Sequence, residues 1–120
     1  MPQPEFLADR CLGKRVVSIL QSAQLTAHTL ADLFGEDQAQ EMSDEDWITQ
    51  AGMRRYAVLT KDQRIRHRTM EREAVAQHGV HLFALGSGNL GFLEMAGAFL
   101  TASARMIEIV GQDRQGESGW

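Results

Sequence analysis

Two short apolar runs that each lead into an aspartate constrain this chain more than any other feature. Phe6-Leu7-Ala8 ends on Asp9, and Tyr56-Ala57-Val58-Leu59-Thr60 leads through Lys61 to Asp62. Short, β-prone runs that are continuously apolar mark strands buried on both faces. Around them lie segments of helical spacing. Val16, Ile19, Leu20 and Ala23 predict a helix after the first strand. Ser43 before Asp44-Glu45-Asp46 predicts a helix start, its hydroxyl capping a free N–H and the acids favouring the positive end of the dipole. Trp47, Ile48 and Ala51 then form an inner stripe. Leu25 to Phe34 has period-two character around Thr26, His28 and Thr29 and breaks at Gly35, which predicts the second strand. Gly35 to Met42 is polar without apolar periodicity and is expected as a surface loop. Met70 to His78 predicts a helix closed by Gly79, Val80 to Leu85 the fourth strand, and Ser87-Gly88-Asn89 a turn. Phe92, Ala96, Phe99, Leu100, Ile107 and Val110 share one broad helical face. The expectation is one domain over residues 1–110 and a flexible polar tail over 111–120.

Strands and helices that alternate in this way build a mainly parallel α/β sheet covered on both faces. The length of 120 residues and 43% hydrophobic content suit one core without disulfide or zinc staples. Cys11 is the single cysteine, so no internal disulfide forms, and a reducing cytoplasm is the expected location. No apolar run approaches the roughly 20 residues needed to span a bilayer, so no membrane association is expected.

In open parallel sheets, ligands gather at the carboxyl ends of the strands. Asp9, Asp62 and the Ser87-Asn89 turn must fall there, and the acidic helix start at Asp44 to Asp46 enters from the same edge. Crowded carboxylates repel one another and take up protons unless a cation neutralises them. Oxygen-only ligands suit Mg²⁺ or Mn²⁺, whereas zinc favours His and Cys, and His28, His67, His78 and His81 show no ligand spacing. Such an ion activates water and steadies an in-line phosphoryl displacement. The plainer alternative makes each acid a strand-end or helix cap; the coincidence of several at one edge favours the metal.

At these residues the chain resembles the PIN-like ribonuclease superfamily, specifically short bacterial PIN-like proteins related to VapC-type toxins. The resemblance is carried by Phe-Leu-Ala-Asp-Arg at 6–10, Ala-Asp-Leu-Phe-Gly at 31–35, Ser-Asp-Glu-Asp-Trp-Ile at 43–48, Val-Leu-Thr-Lys-Asp at 58–62 and Ser-Gly-Asn-Leu at 87–90. It implies a three-layer α/β/α fold with a central, mainly parallel sheet of four or five strands. It also implies metal-dependent cleavage of RNA, and an antitoxin protein that blocks the site. Asp9 looks like the family's first acid, Asp44 or Glu45 the second, and Asp62 the third. These four are the catalytic and metal-ligating candidates. The fourth family position falls near Ser87 and Asn89, where uncharged residues replace an aspartate.

The net charge of −4 argues against general nucleic-acid binding, but the basic residues are unevenly spread. Seven of the twelve, Arg54, Arg55, Lys61, Arg64, Arg66, Arg68 and Arg72, fall between positions 54 and 72. Arg10, Lys61, Arg64, Arg66 and Asn89 are therefore the candidate RNA-binding residues, the run being otherwise an ordinary solvated loop. Two other readings compete. A Mg²⁺-binding phosphoacceptor domain would need adjacent acids after the first strand, where Asp9 is instead followed by Arg10. A catalytically weak PIN-like protein-binding module is compatible with Asn89. A homodimer is expected from the resemblance and from the length of the apolar face between Phe92 and Val110.

Overall fold

The computed structural model describes residues 4–61, 80–85 and 90–118, with only the course of the backbone over 113–118. Expectations placed on Asp62, Arg64, Arg66, Ser87, Asn89 and the helix at 70–78 lie outside these residues. Strands β1 (Phe6–Ala8), β2 (Ala27–Thr29), β3 (Ala57–Thr60) and β4 (Leu82–Ala84) form one parallel sheet in the order β2-β1-β3-β4. Helices α1 (Lys14–Ser22), α2 (Leu30–Phe34), α3 (Glu36–Glu41), α4 (Asp44–Met53) and α5 (Phe92–Ser118) flank it, giving the three-layer α/β/α arrangement. A short 3-10 turn, Arg10–Leu12, joins β1 to α1.

The pleat sorts the strand residues into two cores. Phe6, Ala8, Ala57 and Leu59 pack with Val16, Val17 and Leu20 of α1 and with Met95, Ala96, Phe99, Met106 and Val110 of α5. Leu7 and Val58 face the other way, onto Leu30, Ala39, Trp47, Ile48 and Ala51. All four residues of β3 are buried, as a central strand covered on both faces requires. The sheet reverses direction of growth between β1 and β3, because β2 lies on one side of β1 and β3 on the other. The crevice of a doubly wound sheet opens at such a point.

Three expectations need correction. The second strand stops at Thr29 rather than Phe34, since the Thr29 hydroxyl accepts from the Asp32 N–H and Asp32 accepts from the Thr29 N–H, a reciprocal cap that starts α2. Residues Glu36–Glu41, expected as loop, form α3; its single turn and a half buries only Ala39, so no apolar period could reveal it. Finally α5 continues through Gly111 to Ser118, where composition places the start of a loose tail. Its apolar face is largely covered within the chain, leaving Leu93 at 66% and Phe92 at 37% exposure. Phe92 does not join the core; the Arg15 guanidinium lies 5.2 Å from its ring centroid.

Candidate active site

Asp9 follows β1 directly, and its N–H bonds to the Leu59 carbonyl at 2.8 Å, carrying the ladder one residue past the strand. The register that pairs Ala8 with Leu59 makes Thr60 the cross-strand neighbour of Asp9. Alternation turns both toward the α2–α4 layer, and there the Thr60 hydroxyl donates to Asp9 Oδ2 at 2.8 Å. Both residues are buried, Asp9 at 6% and Thr60 at 0% exposure. Asp9 stands at the N-cap of the 3-10 turn, yet its side chain makes no capping hydrogen bond. The main partner of this carboxylate is therefore Thr60 across the sheet rather than the turn that follows it.

Burial pushes the Asp9 carboxyl above the usual carboxylate range. Hydrogen bonds from Thr60 and Cys11 oppose the rise, the Asp44 charge adds to it, and the Cys11 backbone N–H is the weakest influence. Asp44 thus lies close enough for its charge to be felt at Asp9. Its position is held from three sides. Ser43 Oγ accepts from the Asp46 N–H at 3.1 Å and so takes the capping duty of α4. The Asp44 carboxylate takes other donors: the indole N–H of fully buried Trp47 reaches Oδ1 at 2.9 Å, and an Arg10 N–H reaches the same oxygen at 3.4 Å.

Arg10 also donates to the Ala39 and Gln40 carbonyls at the end of α3. This residue, expected to bind RNA, is tied to Asp44 and to the negative end of a helix. Glu45 is half-buried and makes no hydrogen bond or ion pair among the described residues, while Asp46 is exposed. Lys61 is half-buried at the end of β3. Cys11 Sγ lies 3.5 Å from Thr60 Oγ1, and burial pushes its thiol up, which keeps it protonated and poorly nucleophilic at neutral pH.

The structure brings together Asp9, Asp44, Arg10 and Thr60. Thr60 was not among the candidates, although its place one residue after the strand's last aliphatic and two before Asp62 was visible. Among the described residues no three acids, histidines or cysteines form a metal-ligating cluster. The donor set that is present suits a hard cation nonetheless: two carboxylates, one of them raised mainly by its burial and further by the other's charge, beside a thiol that burial keeps protonated. A cavity of about 300 Å³ opens beside Asp9, with Arg10, Gly13, Lys14 and Glu36 at its edge.

Comparison with known proteins identifies the family. The model of a family described as "PIN like domain" matches residues 4–87. The Mycobacterium tuberculosis protein named "Putative ribonuclease VapC45" is 30% identical over 100 residues, which is 82% of this chain and 72% of that protein. No solved structure matches the chain.

Proposed function

The chain belongs to the PIN-like domain family, and from that premise we propose that it is a divalent-metal-dependent endoribonuclease, the toxin of a toxin–antitoxin pair acting in the cytoplasm. The observation that carries the reading is the buried Asp9 carboxylate, which is held chiefly by Thr60 and feels the charge of Asp44 at the carboxyl ends of the two central strands. Asp9 and Asp44 would hold Mg²⁺ or Mn²⁺, with Glu45 and Asp62 as the further acids. When bound, the ion supplies an activated water and charge compensation for the phosphate under attack.

The chain's own residues prepare that chemistry. Thr60 fixes the rotamer of Asp9 through its hydroxyl, and Trp47 and Arg10 fix that of Asp44. Arg10 offsets part of the negative charge without reaching Asp9, so the pair is not cancelled. Arg10, Lys61, Arg64, Arg66 and Asn89 would hold the RNA backbone beside the acids. The related ribonuclease's name supports RNA as the substrate. An antitoxin protein is the proposed partner, and self-association would use the exposed Phe92 and Leu93.

The test is incubation of RNA with the purified protein in Mg²⁺, in Mn²⁺ and in chelator, beside Asp9→Asn and Asp62→Asn. Cleavage by wild type with metal, lost in chelator and reduced about 100-fold or more in either variant, is the expected result. If wild type and variants leave a broad set of RNAs equally intact, the nuclease reading fails and a protein-binding role replaces it.

A further inference from the structure

The cavity beside Asp9 extends well past that carboxylate. Its floor is aliphatic, formed by Val17 of α1, Leu30 and Ala31 of α2, and Ala39 of α3. Val17, Leu30 and Ala39 are buried. Charge is confined to the edge. Asp9 and Arg10 lie there, as does the Lys14–Glu36 ion pair, which ties α1 to α3 at 3.1 Å. Both partners of that pair are largely exposed, at 76% and 70%, so water screens it and it opens readily. A second cavity of about 310 Å³ shares Lys14, Val17 and Glu36 with the first and continues toward Ser18 and Gln21. The two make one trough along α1 that begins at Asp9.

We propose that the part of this trough beside Asp9 is a nucleobase pocket, which takes the ring of the nucleotide next to the phosphate that Asp9 addresses. The proposal rests on the ribonuclease reading and adds the recognition step to it. A volume of about 300 Å³ is at the lower end of small-ligand pockets and suits a nucleoside-sized group. A phosphate would lose its hydration on the aliphatic floor without gaining a donor there. A base has apolar faces for that floor and polar edges for the rim, where the Gln40 amide offers both a donor and an acceptor. Single-stranded RNA can splay an unstacked base into such a site, whereas a duplex cannot. Among the described residues the floor carries no aromatic ring, so the choice of base comes from edge hydrogen bonds and shape rather than stacking. The Lys14–Glu36 pair, common to both cavities, parts as the strand enters and leaves Lys14 to face the next phosphate.

Methyl-resolved NMR in chelator tests this with adenosine, cytidine, guanosine and uridine as probes, each at about 10 mM, enough to occupy a site of millimolar Kd. At least one nucleoside is expected to shift the Val17 and Leu30 methyls saturably. Ala31→Phe fills the pocket from α2 and is expected to weaken that binding at least about tenfold, a loss of about 1.4 kcal/mol. Ala31→Leu, a smaller intrusion, serves the same purpose if the phenylalanine disturbs folding. Absence of saturable shifts with all four nucleosides, or equal binding by a folded Ala31 variant, overturns the pocket. Uncharged probes in chelator remove metal and cleavage from the measurement. A protein that binds nucleosides but leaves RNA intact therefore keeps the pocket and loses the nuclease reading, and RNA cleavage without nucleoside binding does the reverse.

Discussion

Asp9 is held at a cost that its position explains. A carboxylate buried between two strands and facing another acid favours its protonated form, so its folded-state pKa exceeds the ordinary 3.8. The sign follows from linkage: stability from this group is complete below the unfolded value and is lost as pH rises through the folded one. Metal-free protein is therefore expected to lose stability with rising pH across that window. Asp9→Asn removes this dependence and raises metal-free stability at neutral pH by about 1 kcal/mol, as relief of a strained functional site does. Denaturant midpoints measured across pH for both proteins check this; an unchanged pH slope in the variant would sink it. Thr60→Val keeps the volume but removes the hydroxyl from Asp9 Oδ2, for an expected loss of about 1–2 kcal/mol at neutral pH and less in acid. Residue types near the site were legible in the sequence, but their duties were not. Asp44 and Asp46 are equally acidic neighbours, and only the Ser43 cap and the Trp47 indole decide which one turns inward.

At the scale of elements, short-range hydrogen bonds set boundaries that apolar periodicity misses. The Thr29–Asp32 reciprocal cap converts the end of an expected strand into α2. Ser43 does for α4 what its sequence context announces. Ser43→Ala should cost about 1 kcal/mol, read as a lower denaturation midpoint with an unchanged m-value. Gly13, between the 3-10 turn and α1, adopts φ 82° and ψ 163°, a region open in practice to glycine alone. Space for a Cβ exists there, so Gly13→Ala tests backbone strain without a clash. The expected loss is about 1–3 kcal/mol. A variant as stable as wild type would show that the turn can relax.

For the whole molecule, the parallel sheet and its two cores carry the site as a fixed edge. β1 and β3 are central, paired on both sides and covered on both faces, so the ends that carry Asp9 and Thr60 are anchored where the fold is most rigid. Binding of the proposed ion to the folded state alone would raise global stability by about 2.7 kcal/mol at 100 times Kd. Thermal melts with and without Mn²⁺ should show that gain in wild type and not in Asp9→Asn; equal melting shifts in both would place the ion elsewhere. Among the described residues no helix is long and apolar enough to cross a membrane.

The sequence by itself determined the layer architecture, since continuous apolar runs interleaved with helical spacing admit little besides a parallel sheet covered on both faces. It also determined that Asp9 stands at a strand's carboxyl end. Tertiary structure alone decided that Asp9 is a buried acid held across the sheet by Thr60 and within the field of Asp44. Those two residues lie 51 and 35 positions away and reach Asp9 only through strand register and the angle at which α4 enters. Local pattern reports what a residue can bond within a turn or two; the burial and field at a carboxylate belong to neighbours that the fold supplies.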